Sequence, residues 1–269
     1  FMYWLKTNIG KIPMDEISVD EKLTEFRNQG EHFKGKSFNT IAAYKENAAM
    51  MHYSATPDKK ATIRSESFLL VDSGGQYLDG TTDITRTFSM GPLTEEEKRD
   101  FTLVVKSHIG LSKPRFLAGT TGGSLDILAR TPMWNEGLDY KCGSGHGVGF
   151  FLNVHEGPHS FKPIVKTPLE PGMVITNEPG VYKENRHGIR IENTQLVVED
   201  IVTEFGGTFY TFETLSFVPI DLDGLVPEML NAEERNWLND YHETCRKNLL
   251  PHMKDEAEKS WLEQYTRAI

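Results

Sequence analysis

Five side chains scattered along the sequence have the types that hold and use divalent cations: Asp72, Asp83, His146, Glu178 and Glu192. Asp72 closes the apolar run Phe68-Leu69-Leu70-Val71, where an unpartnered carboxylate is costly to bury. Asp83 follows eleven residues later, beyond an Asp79-Gly80 pair that signals a hairpin turn and would bring the two together. A capped strand end or an ion pair with Arg86 would account for Asp72 taken alone. His146 lies in Gly143-Ser144-Gly145-His146-Gly147-Val148-Gly149. That much glycine lets the backbone approach another group closely and leaves the imidazole uncovered. The spacing is not a dinucleotide fingerprint, no lysine stands at the phosphate position, and no apolar strand precedes it, which argues against a nucleotide loop. Glu178 ends a strand that runs into Pro179-Gly180. Glu192 lies fourteen residues on. Alternation there puts Ile189 and Ile191 on one face, Arg190 and Glu192 on the other.

Four carboxylates and one imidazole form an oxygen-rich set. It favours Mn²⁺, with Co²⁺, Fe²⁺ or Zn²⁺ as alternatives, since no thiolate is available to select zinc. Four negative charges nearly cancel two dications, so such a site can be buried once metallated. Two dications about 3.5–4 Å apart hold a hydroxide that is nucleophilic at neutral pH. The segment His155-Glu156-Gly157-Pro158-His159 matches the letters of the H-E-x-x-H zinc motif. That motif needs a helix to put both histidines on one face, and Gly157-Pro158 breaks a helix at its middle. His155 keeps its interest because Phe150 to Val154 reads as an apolar strand that delivers it.

The elements that must position these groups are visible in outline. Ser18 with Glu21, Thr94 with Glu97 and Asn231 with Glu234 read as capping boxes opening helices. The first helix runs to about Gln29. The third carries Trp237, Leu238, Tyr241 and Cys245 at helical spacing and stops at Pro251. Lys254 to Arg267 reads as a last short helix. Strands are expected at Phe68 to Val71, Thr82 to Phe88, Met173 to Thr176, Ile189 to Val198 and Thr211 to Val218. Helices and strands come in blocks without βαβ alternation, which predicts an α+β layout with a mainly antiparallel sheet.

Composition narrows the function classes. The 269 residues, 38% hydrophobic and 25% charged, suffice for a large folded core. A net charge of −10 argues against a nucleic-acid partner, whose phosphates need a basic footprint. No apolar run has the length of a membrane span. Cys142 and Cys245 are too few for a disulfide framework and read as reduced thiols, which predicts a cytoplasmic protein. Phe1-Met2-Tyr3-Trp4-Leu5 reads as the middle of an apolar helix face, without the basic leader or small-residue cleavage site of a signal peptide, and so as part of a longer chain.

The five candidate ligands, in this order and spacing, resemble those of the pita-bread metallopeptidases, which include methionine aminopeptidases, prolidases and the Xaa-Pro aminopeptidases (aminopeptidase P). Gly145 to Gly149, Phe151 to Pro158, Asp79 to Asp83, Gly188 to Asn193, Trp237 to Asn239 and Tyr241-His242 are similar to the long, multidomain aminopeptidase P branch. The resemblance implies a curved antiparallel sheet flanked by helices. It implies a catalytic domain over residues 1–225, a C-terminal helical extension over 226–269, and N-terminal domains that lie outside these residues. It implies hydrolysis of the bond between an N-terminal residue and a following proline, by a hydroxide bridging two divalent metals. Asp83 and Glu192 would bridge the metals. Glu178 would also move the proton. His52, in Met51-His52-Tyr53, would hold the substrate carbonyl and its developing oxyanion, and His155 would handle protons beside the scissile bond. Arg190 would orient a ligand carboxylate and serve the substrate site. Phe150, Phe151 and Tyr182 are candidates for an apolar seat under the proline ring. A homodimer could form through exposed Trp237 and Trp261 on the C-terminal helices. Alternatives are a prolidase limited to dipeptides, a methionine aminopeptidase, or a non-catalytic pita-bread binding module.

Overall fold

The computed structural model describes residues 1–269. The opening apolar segment forms helix α1 (Met2–Asn8), which buries Met2 and Leu5. Helix α2 (Glu16–Arg27) is capped by Asp15, not by Ser18. The Asp15 carboxylate accepts from the Ile17 and Ser18 N–H groups, and the Ser18 hydroxyl accepts from the Asp15 N–H. The capping box therefore lies three residues upstream of the expected one, with serine as its far member.

Strands β1 (Phe33–Lys36) and β2 (Ile41–Tyr44) lead into β3 (Phe68–Ser73), whose six residues are all buried. The hairpin β4 (Gly75–Tyr77) and β5 (Gly80–Thr81) turns at Leu78-Asp79 and returns the chain as β6 (Ile84–Ser89). β3 pairs with both β2 and β6, and Asp72 stands opposite Thr85. Helix α3 (Glu95–Ser112) opens on the Thr94–Glu97 box and supplies Phe101, Val104, Val105 and Ile109 to the largest core cluster. Beyond the short strand β7 (Phe116–Leu117) comes helix α4 (Gly122–Trp134), which the sequence outline lacks. Its start is glycine-rich and it carries Pro132, both of which hide a helix from propensity reasoning, while Leu125, Ala129 and Met133 keep the helical spacing of its buried side.

The remaining strands are β8 (Gly145–His146), β9 (Ser160–Phe161), β10 (Val174–Asn177), β11 (Gly180–Lys183), β12 (His187–Arg190), β13 (Asn193–Thr203) and β14 (Gly207–Thr214). Every strand pairing is antiparallel, in small sheets that adjoin one another, as the α+β reading predicts. Two expected strands differ. Ile189 to Val198 is broken at Ile191-Glu192, where the Glu192 N–H leaves the hairpin and donates to Thr85 O on β6. The last strand stops at Thr214, because the carbonyls of Val218 and Pro219 accept from Arg86 instead of joining a ladder. Phe150 to Val154 forms no strand at all.

Helix α5 (Ala232–Leu249) opens on the Asn231–Glu234 box, gives way to a 3₁₀ turn at Leu250–His252 containing Pro251, and is followed by α6 (Glu256–Tyr265). α5 contributes Leu238, Tyr241 and Cys245 to the same core as α3. Trp237 stacks on Tyr241 with ring centres 5.3 Å apart, and Trp261 stacks on Tyr265 at 4.5 Å and meets Tyr3 edge-on. Both tryptophans are half-buried within the chain, less exposed than the sequence reading assumed. No helix is long and apolar enough to cross a membrane.

Candidate metal centre

Three stretches of antiparallel sheet deliver the five acidic and imidazole groups to one place. Asp72 comes from the end of β3 and Asp83 from the residue before β6, which is hydrogen-bonded to β3. Glu192 sits in the break between β12 and β13, and its carboxylate accepts from the Thr85 hydroxyl at 2.7 Å. His146 ends β8, and its N–H donates to the Thr176 hydroxyl on β10 at 3.0 Å. The Thr176 hydroxyl in turn lies 3.2 Å from Glu178 Oε1. The ligating atoms form overlapping groups, Asp72–Asp83–Glu192 and His146–Glu178–Glu192, each with all atoms within 4.8 Å of one another. Glu192 is common to both, and a third group joins Asp83, His146 and His155.

The glycines around His146 serve the backbone. A Cβ on Gly145 would lie 1.9 Å from Thr176 O, and one on Gly147 would lie 2.0 Å from Glu156 O. The close approach inferred from the sequence is thus to the protein's own main chain. His146 Nδ1 donates to its neighbour Gly147 O at 2.9 Å, which leaves the Nε2 lone pair facing inward. Nε2 lies 3.4 Å from both Asp83 Oδ2 and Glu178 Oε1, a spacing that attracts only when the ring is protonated or a cation lies between the three groups.

So many carboxylates in one buried place cannot all hold their charge at neutral pH. Burial pushes Glu178 up to about 7, opposed by His146 and Arg190 and reinforced by Asp83 and Asp72. Burial likewise raises Glu192 well above the usual carboxylate range, with Asp83, Glu178 and Asp72 adding to it. Asp83 is raised for the same first reason. Burial alone would lower His146, but Asp83 and Glu178 raise it. This is the signature of a centre short of positive charge. Asp72 Oδ1 is buried without a hydrogen-bond partner, although its Oδ2 accepts from Arg190 Nη2 at 2.6 Å. An orphaned carboxylate oxygen beside clustered acids fits a cation. The donor set, oxygen with one nitrogen, suits two hard or borderline dications.

Arg190 on β12 is buried and fully engaged. It donates to Asp72, to the Tyr182 hydroxyl at 2.8 Å and to the Thr85 hydroxyl at 3.2 Å. His52 and His155 reach the same cavity, of about 1090 Å³, from exposed loops. The His155 ring meets His146 edge-on with centres 4.1 Å apart, and burial, then His146 and His52, lower its pKa. His155 arrives on a loop, because Phe150 to Asn153 point outward and form no ladder. His159, its partner in the H-E-x-x-H letters, is turned away and bonded to Val174 O at 2.8 Å. Phe150 is 70% exposed, and neither it nor Phe151 lines the cavity. Tyr182 does, together with Phe38, Ile41, Trp134 and Tyr140. Thr85, Thr176 and Trp134 were not singled out from the sequence. The two threonines show only as alternating strand residues, and Trp134 rides on the unforeseen helix α4.

The profile of metallopeptidase family M24 matches residues 1–199, and that of the C-terminal region of peptidase M24 matches residues 208–269. Aminopeptidase P1 of Arabidopsis thaliana is 46% identical over 239 residues, 87% of this chain and 37% of that protein. The X-prolyl aminopeptidase of Caenorhabditis elegans, described as a cytosolic enzyme with a di-nuclear active site, superposes with a TM-score of 0.94 at 36% identity. That match covers 100% of this chain and 45% of the nematode chain. The Xaa-Pro dipeptidase of Bacillus anthracis aligns at 29% identity with a TM-score of 0.68, over 81% of this chain and 57% of its own. The chain thus spans less than half the length of the aminopeptidase P relatives described here.

Proposed function

This chain belongs to metallopeptidase family M24 and has its pita-bread fold, and from that premise we propose that it removes an N-terminal residue that precedes proline. The observation that carries the reading is the convergence of Asp72, Asp83, His146, Glu178 and Glu192 on one cavity that His52 and His155 also line. The high identity to aminopeptidase P relatives and the near-complete superposition on an X-prolyl aminopeptidase support this branch over a prolidase. The retained acidic groups speak against a non-catalytic binding module.

Asp72, Asp83 and Glu192 would hold one cation, and His146, Glu178 and Glu192 the other, with Asp83 reaching toward His146 as a second bridge. When bound, two divalent cations supply Lewis acidity and a water-derived nucleophile at neutral pH. Mn²⁺ is the ion proposed, with Co²⁺, Fe²⁺ or Zn²⁺ as substitutes. Glu178 accepts the proton released on attack and returns it to the leaving nitrogen. His52 and His155, on separate loops, donate to the substrate carbonyl oxygen as charge develops there. Arg190 fixes Asp72 in place through Nη2 while its other nitrogens hold Tyr182 and Thr85. Proline's nitrogen carries no hydrogen in the scissile bond, so an apolar wall has to seat its ring. Tyr182 takes that part, and Phe150 and Phe151 do not.

Residues 1–225 are proposed as the catalytic unit and 226–269 as an extension packed upon it. A cytoplasmic setting is proposed from the two free cysteines and the nematode relative. The test is substrate length. With Mn²⁺ added, an Xaa-Pro-Xaa tripeptide is expected to lose its first residue. Cleavage of Xaa-Pro dipeptides alone would make the protein a prolidase, and release of Met from Met-Ala with Xaa-Pro untouched would place it among the methionine aminopeptidases.

A further inference from the structure

A buried carboxylate outside the metal centre holds the loop that presents His52. Glu16, the first residue of α2, is 0% exposed and has no cation beside it. It is satisfied instead by four donors. Oε1 accepts from the Tyr44 N–H at 2.8 Å and Asn47 Nδ2 at 2.9 Å. Oε2 accepts from the Tyr53 hydroxyl at 2.7 Å and the Ala61 N–H at 2.7 Å. These donors bracket the segment from Tyr44 to Ala61, whose regular structure is a 3₁₀ turn at Lys45–Ala49 and one isolated bridge, Thr56 to Lys59, with the Tyr53 N–H also donating to Met50 O. His52 sits within it, next to Tyr53, and its own side chain is exposed in the cavity. The far side of the segment is fixed too, since a Cβ on Gly188 of β12 would lie 1.8 Å from Ala48 O. The loop is therefore clamped between Glu16 and the strand that carries Arg190.

We propose that Glu16 is a positioning residue for His52, acting through Tyr53 and Asn47. A rotamer-rich exposed histidine can aid an oxyanion only if its backbone is set beforehand, because misplacement by about 1 Å loses on the order of a hundredfold in rate. A carboxylate suits the task because its two oxygens can take all four donors. An amide in its place has one acceptor oxygen, so Glu16→Gln leaves the Ala61 N–H facing a donor. The inference rests on the proposed peptidase reading, but part of its test does not.

The experiment is a double-substitution cycle with a structural readout. Glu16→Gln is expected to lower kcat/KM on an Xaa-Pro tripeptide by about tenfold in the wild-type background and by less than about twofold in His52→Ala, since a coupled pair is not additive. Bound metal is expected to stay unchanged. Tyr53→Phe, which keeps the carboxylate and removes one donor, is expected to give a smaller loss of the same pattern. Amide hydrogen exchange across residues 50–61 is expected to quicken in Glu16→Gln while the β3 and β6 amides stay protected. Losses that multiply in the double variant, or exchange at 50–61 equal to wild type, overturn the assignment. Absence of Xaa-Pro cleavage by the wild type would overturn the peptidase reading, and the exchange arm would still decide whether Glu16 holds the loop.

Discussion

Glu178 and Arg190 line one cavity with different proposed jobs, and substitution separates them. In the proposed mechanism Glu178 carries the proton, so Glu178→Gln is expected to reduce turnover by at least about a hundredfold with the melting temperature of the metal-free protein unchanged or raised. Turnover at the wild-type rate would falsify its role as proton carrier. Arg190 acts on Asp72 through geometry that lysine cannot copy, having one nitrogen where the guanidinium places three. Arg190→Lys is therefore expected to weaken Mn²⁺ binding by about ten- to a hundredfold, measured by calorimetry. At this scale the sequence was informative where an acidic residue stood at a strand end, as Asp72 does after an apolar run and Glu178 does before Pro179-Gly180. It was silent on Glu16, whose surroundings, a helix start with acidic neighbours at Asp15 and Asp20, look like a solvated surface. A polar side chain reveals its burial only through partners that lie far along the chain.

Among the elements, the C-terminal helix α5 reaches the metal centre through a single arginine. Arg86 on β6 is buried without a carboxylate partner. It donates to Glu192 O at 2.5 Å, to Asn193 Oδ1 at 2.7 Å, to Val218 O at 2.7 Å and to the Tyr241 hydroxyl of α5 at 2.7 Å. The ion pair with Asp72 considered from the sequence does not form, because Arg86 points toward α5 and Arg190 takes the Asp72 position. Tyr241→Phe removes one partner from a buried cation, for which a loss of about 1–3 kcal/mol in unfolding free energy is expected by urea titration. The α3 and α5 starts were legible because a capping box is local. The α2 start was shifted because two overlapping boxes share Ser18, and only the fold decides between them. Helix α4 and the loop bearing His155 were misread because their form depends on long-range packing rather than on local preference.

Across the whole molecule, the centre makes stability depend on pH and metal together. Glu178, Glu192 and Asp83 have folded-state pKa values raised above those of the unfolded chain. As pH rises through their unfolded values, the unfolded chain releases protons that the metal-free fold retains. The unfolded state then binds fewer protons, and stability falls with rising pH. His146, also raised, works in the same direction, since the stability it contributes when protonated is lost at higher pH. The metal-free protein is thus expected to melt lower at about pH 8 than at about pH 5, and saturating Mn²⁺ to reduce or reverse that drop. Metal affinity should climb over the same range, because each cation displaces protons. All of this depends on the claim that the clustered carboxylates exist to hold cations. Anomalous diffraction at the manganese edge, from crystals grown with Mn²⁺, tests it most directly. Two peaks per chain, about 3.5–4 Å apart among Asp72, Asp83, His146, Glu178 and Glu192, are predicted. No peak there, or density only at surface carboxylates, would contradict the account.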